Sequence, residues 1–187
     1  MSARKLGNKF YMSDVIRNSV KVILLNNKNE LLLLCADDPK TTAVEGVYHG
    51  KFWFLTGGAI ESNESIRETA FREIYEETGI ARDEVNLGPV VWYGEFDLCL
   101  AGTPTRFKEK FIVATTSKTD ISFVNLTAEE KEIIKSFSWF SLDQINNCPD
   151  VIYPVLLPEY LPNILVGKYP TVPMKIDLAK QPKVREV

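Results

Sequence analysis

Histidine occurs once and cysteine three times among the 187 residues, and the cysteines, Cys35, Cys99 and Cys148, lie far apart with no CxxC spacing. A disulfide framework needs paired thiols and a structural zinc site needs clustered soft ligands, so the pattern argues against both. It fits a reducing, cytoplasmic compartment. Long hydrophobic runs are missing as well. The apolar stretch at 31–35 is far shorter than the roughly 20 residues that cross a bilayer, and the first fourteen residues lack the apolar core of a signal peptide, so no membrane partner is expected. Nor is there a basic excess. With 22 Lys and Arg against 25 Asp and Glu, a formal charge of −3, the chain has no footprint for a nucleic-acid backbone, and no nucleic-acid partner is expected. An anionic phosphate ligand would meet an acidic protein, so a cation or a few placed Lys and Arg must reverse the local field.

What is present is a soluble, globular composition, 45% hydrophobic and 25% charged, at a length that suits one domain. The expected division is an N-terminal arm over 1–17, a domain over 18–168, and a C-terminal extension and tail over 169–187. SVKVILL (19–25), the turn NNKN and ELLLLC (30–35) predict a strand hairpin. KFWFLT (51–56) predicts a strand broken by Gly57-Gly58. Two β-rich runs, 90–102 and 106–116, predict a second hairpin across a Gly-Thr-Pro connection. Thr127 followed by Ala-Glu-Glu predicts a capped helix to about Lys135, SWFSLDQI (138–145) a strand passing into a helix, and the stretch from about Tyr153 to Ile164 a further helix. The order is that of an α/β (α+β) fold.

The densest chemistry lies in GAIESNESIRETAFREIYEETGI (58–80). No Pro or Gly interrupts 65–78, Ile66, Ala70 and Ile74 recur every four residues, and Gly79 supplies a stop, so this segment predicts a helix. Glu73, Glu76 and Glu77 stand at i, i+3 and i+4 and project from one face. Three like charges on one face destabilise a helix by a few tenths of a kcal/mol per pair, and a divalent cation is the natural compensation. Hard carboxylate oxygens favour Mg²⁺ or Mn²⁺ over zinc. Arg72, four residues from both Glu68 and Glu76, can orient a carboxylate. Glu64 stands where the helix should begin and can take up free backbone N–H groups, a structural role.

With Gly58, Glu64, Arg72, Glu73, Glu76, Glu77 and Gly79 at their spacings, and apolar Ile74 and Ile80, the segment resembles the Nudix box in every required position. The resemblance spans roughly 18–145 and implies the Nudix α/β/α sandwich, a mixed sheet flanked by helices. It also implies a Mg²⁺-dependent pyrophosphohydrolase in which water attacks phosphorus in a nucleoside diphosphate derivative: a nucleotide sugar such as ADP-ribose, a nucleoside triphosphate or a dinucleoside polyphosphate. The catalytic residues carried over are Glu73, Glu76, Glu77 and Arg72. The metal ligands are Glu73, Glu76 and Glu77 with the Gly58 carbonyl, and a further acidic ligand on a later strand, for which Glu109 is the candidate and Glu95 the runner-up. One of these carboxylates is the base. Homodimer formation is a habit of the family. Alternatives within the same fold are a nucleotide sensor without catalysis and a diphosphate isomerase using cysteine and glutamate.

Outside the box, Trp53 and Arg106 are the substrate-binding candidates. Trp53 either stacks on a nucleobase or belongs to the core, and Arg106, Lys108 and Lys110 either bind phosphate or form a solvated strand face. His49 reads as a loop residue. Two departures from relatives are local: Thr56 stands where many have Pro, and Ser62-Asn63 replaces a Gly before the first glutamate of the box.

Overall fold

The alternating apolar residues of VIRNSVKVILL form strand β1 (Val15–Leu25), which runs parallel to β5 (Thr103–Thr116) in an unbroken register from Val15 opposite Thr105 to Leu25 opposite Thr115. This computed structural model describes residues 15–37, 51–100 and 103–180, apart from the side chains at 99 and 100. Most of the expected arm, the loop expected around Tyr48 and His49, residues 101–102 and residues 181–187 of the expected tail lie outside the described residues.

The first expected hairpin is realised only at its tip. Strand β2 (Leu31–Ala36) meets β1 at one pair, Leu25 opposite Leu31, below a turn in which Asn26 Oδ1 accepts from the amides of Lys28 and Glu30. Along the rest of that edge β1 has another partner. Val20 and Val22 donate to the carbonyls of Gly58 and Thr56, and Ile60 donates to Asn18, so residues 56–60 form the edge beside β1. β2 pairs instead with β3 (Phe52–Phe54) and β6 (Ile134–Phe140). The second hairpin forms along its whole length, β4 (Val85–Leu100) antiparallel to β5.

The box helix α1 covers Ile66–Thr78. Helix α2 (Ala128–Ile133) has the expected Thr127 cap but stops earlier than expected, because Ile134 enters β6. A short α3 (Leu142–Asn146) follows. The helix expected from Tyr153 begins later: 151–153 is strand β7 (Val151–Tyr153), parallel to β3, and α4 covers Leu157–Leu165. A final strand, β8 (Met174–Lys175), runs parallel to β4 and had no signal in sequence. The mixed sheet runs β7-β3-β2-β1-β5-β4-β8, with β6 on β2.

Period-two alternation sends side chains of β1 and β5 to two cores. Val20, Val22, Leu24, Ile112 and Ala114 pack with Ala70 and Ile74 of α1. Ile23, Leu25, Phe111 and Val113 pack with Leu157, Leu161 and Ile164 of α4. The result is the helix–sheet–helix sandwich expected from the box, with α1 held by fully buried residues. Ile176, 3% exposed and donating its amide to Tyr93, ties the C-terminal extension into the α4-side core. Ile176→Ala is expected to cost about 3 kcal/mol, read as a lower urea midpoint at unchanged slope. Unaltered stability would show that the extension is not part of the cooperative fold.

Candidate active site

Helix α1 begins with a reciprocal cap. Ser65 Oγ accepts from the Glu68 amide while Glu68 Oε2 accepts from the Ser65 amide, and at the other end Gly79, at φ 73°, closes the helix in the left-handed region. This corrects the expectation for Glu64, whose capping role falls to Ser65. Glu64 accepts instead from the Glu61 amide, the Thr69 hydroxyl and Arg72. Asn63, at φ 71°, takes the left-handed conformation that glycine would have supplied there.

Arg72 is the hub. Nε and Nη2 grip both oxygens of Glu64 at 2.7 and 2.9 Å, Nη1 reaches Glu73 Oε1 at 2.8 Å and Glu76 Oε2 at 3.0 Å, and Nη2 also donates to the Ala59 carbonyl at 2.9 Å. Five contacts use the five N–H groups of a guanidinium. The expected pairing with Glu76 is present, whereas Glu68 is engaged by the cap. The Arg72 hydrogen bond holds the Glu64 carboxyl down at about 2.

Two of the box carboxylates are buried, Glu73 at 7% and Glu77 at 5% exposure. Glu77 Oε2 accepts from the Gly57 amide at 2.7 Å. A Cβ on Gly58 would lie 2.3 Å from Glu73 Oε1, and one on Gly57, at φ 131°, would lie 2.1 Å from the Val20 carbonyl oxygen. The double glycine lets the backbone touch β1 on one side and the carboxylates on the other. Burial raises the carboxyls of Glu73 and Glu77, Glu77 to about 8.

Among the described residues, no three His, Cys, Asp or Glu side chains close on one point as a finished metal cage. Glu73 and Glu76 lean on Arg72, and Glu77 on Gly57. The donor set nevertheless fits a hard divalent cation: two buried carboxylates whose desolvation is incompletely offset, a third on the same helix, and a backbone without Cβ against them.

Lys21 had no signal in the sequence beyond its place in an apolar strand. Its Nζ donates to the Gly57 carbonyl at 3.0 Å and lies 6.0 Å from the centroid of Phe54. Its charge acts on Glu73, Glu77 and Glu109, opposing the upward shift that burial imposes on each. Glu109 also feels Arg17, which sits over Phe107. Glu95 has Lys175 at 3.8 Å, and both line one cleft with Glu109.

The other candidates are engaged elsewhere. Trp53 donates Nε1 to Asp150 at 3.1 Å and meets Phe140 edge to face at 4.8 Å, packed against the α4-side core. Arg106 is bidentate on Asp97 at 2.8 and 2.9 Å on the β4–β5 hairpin. Lys108 and Lys110 instead line a cleft of about 610 Å³ with Tyr93 and Lys175.

The NUDIX domain model matches residues 15–156, and the chain belongs to the Nudix family of hydrolases. Among solved structures it is similar to a MutT protein from Methanosarcina mazei, at 22% identity over 84% of this chain and 98% of that one, with a TM-score of 0.56. It is also similar to the dihydroneopterin triphosphate pyrophosphohydrolase of E. coli, at 16% identity over 82% and 99%, TM-score 0.57. An ADP-ribose pyrophosphatase from Streptococcus suis matches at 15% identity over 86% and 98%, TM-score 0.52. At such identities the likeness is one of fold. Comparison with curated proteins gives no match.

Because the Glu64 carboxyl titrates at about 2 rather than the ordinary 4.5, its pairing stabilises the fold fully above pH 4.5 and loses that contribution as pH falls towards 2. Glu64→Gln is expected to cost about 2 kcal/mol at neutral pH and progressively less in acid. Urea midpoints of both proteins across this range check it. A penalty independent of pH would show that Glu64 acts by shape, not charge.

Proposed function

We propose that the protein is a Mg²⁺-dependent pyrophosphohydrolase that cleaves the diphosphate linkage of a nucleoside diphosphate derivative by attack of water at phosphorus. The observation that carries this reading is the convergence of two buried glutamates, Glu73 and Glu77, on the Cβ-free backbone of Gly57 and Gly58. Glu73, Glu76, Glu77 and the Gly58 carbonyl would hold the cation, with Glu109 as a further ligand from β5. When bound, Mg²⁺ or Mn²⁺ neutralises the diphosphate and lowers the pKa of water.

The chain's own residues supply orientation and the proton acceptor. Arg72 holds Glu73 and Glu76 by one oxygen each, leaving the other oxygen of each carboxylate for a ligand. Glu77 keeps Oε2 on the Gly57 amide, which leaves Oε1 for the cation, and a free carboxylate oxygen elsewhere in the group takes the proton of the attacking water. Water oxygen bonds to phosphorus, the bridging P–O bond breaks, and the proton passes to that carboxylate. An isomerase based on cysteine is disfavoured at Cys35, where burial raises the thiol, the opposite of nucleophile activation.

The structural relatives named above act on ADP-ribose and on dihydroneopterin triphosphate, and another solved neighbour is an Ap4A hydrolase from C. elegans. A nucleotide sugar, a nucleoside triphosphate and a dinucleoside polyphosphate are therefore the classes to assay. Hydrolysis of such a panel is expected only with Mg²⁺ or Mn²⁺, and Glu77→Gln is expected to lower kcat by about 10²-fold or more with the fold intact by circular dichroism. Nucleotide binding without turnover across the panel would replace this reading with a sensor.

A further inference from the structure

We propose that Lys21 is a positioning residue of the box, a resident cation that holds the Gly57 carbonyl and tempers the affinity of the carboxylate group for a divalent metal. The inference rests on the metal-dependent reading above and concerns a residue outside the Nudix box.

A lysine at this point of β1 is costly on fold grounds. Its neighbours on the same strand face are Ser19, 3% exposed, and Ile23, fully buried, and its Nζ reaches into partly buried space. Ammonium groups in such places need partners. Among the described residues Lys21 has one hydrogen bond, to the Gly57 carbonyl, and no ion pair within 4 Å. Two of its three N–H donors are therefore uncommitted among the described residues. A neutral donor would satisfy the Gly57 carbonyl, so that bond alone does not account for the charge.

Gly57 connects the charge to the box. Its carbonyl accepts from Lys21 and its amide donates to Glu77, at 3.0 and 2.7 Å, while the next residue, Gly58, abuts Glu73. The ammonium thus acts on the same buried carboxylates that would hold a divalent cation. In the metal-free protein it offsets part of their charge. A divalent cation held there would meet the charge of Lys21, so the ammonium would lower the affinity of the carboxylates for it.

The test separates charge from hydrogen bonding. Mg²⁺ is titrated by calorimetry at pH 9, above the value of about 8 to which burial raises Glu77, so that protons do not compete for the carboxylates, into substrate-free wild type, Lys21→Gln, which keeps a donor and loses the charge, and Lys21→Arg, which keeps both. Lys21→Met is a second charge-free variant should the Gln protein not fold. We expect the charge-free variant to bind Mg²⁺ about fivefold more tightly than wild type, with a larger Mg²⁺-induced rise in Tm, and the Arg variant to stay within about twofold. Equal or weaker binding in the charge-free variant overturns the role of Lys21 and leaves the metal-dependent reading intact. Absence of Mg²⁺ and Mn²⁺ binding in wild type overturns both.

Discussion

The guanidinium of Arg72 is the interaction on which the box depends. It is the link between the loop that enters helix α1 and the acidic face of that helix: Glu64 and the Ala59 carbonyl on one side, Glu73 and Glu76 on the other. Without it, neighbouring carboxylates on one helix face would repel in a partly desolvated setting. With it, one delocalised charge fixes the orientation of three of them, and its bidentate grip on Glu64 fixes the guanidinium itself. The Arg72 side chain is 23% exposed and that of Glu64 19%, so solvent weakens this pairing less than it would a surface ion pair.

Glu77 stands outside that arrangement and is controlled by the backbone. The edge formed by 56–60 hydrogen-bonds to β1 through alternate residues, which turns the amide and carbonyl of Gly57 outwards, one to Glu77 and the other to Lys21. Thr56, where many relatives carry proline, is fully buried and its hydroxyl has no partner among the described residues. An unsatisfied buried hydroxyl costs about 1–3 kcal/mol. The sandwich on both faces of β1 and β5 supplies the rigidity that keeps this edge in place.

Much of the site was legible because it is local. The spacing of Glu73, Glu76 and Glu77, the Gly79 stop and the i,i+4 relation of Arg72 to Glu76 are all properties of one helix, and helical geometry converts them directly into positions. The Glu64 capping assignment failed because two adjacent residues compete at a helix start, and the shorter Ser65 side chain forms the reciprocal cap with Glu68 while Glu64 is drawn to Arg72. Lys21 was illegible for the opposite reason: it is 36 residues from Gly57, and its strand reads as ordinary alternation. The β1–β2 hairpin was overestimated because an apolar run records burial and not which strand it pairs with, and two-residue strands such as β8 carry no periodicity at all.

Sequence by itself determined the family and the box helix with its carboxylate face, since each follows from residue identity at fixed short spacing. Tertiary structure alone decided that β1 lies parallel to β5, that the double glycine forms the sheet edge against Glu73 and Glu77, and that Lys21 and Glu109 face the same ground. Those are relations between segments distant along the chain. They exist only once both faces of the sheet have been buried under α1 and α4, because that burial is what selects one register and one edge from the many that the local pattern allows.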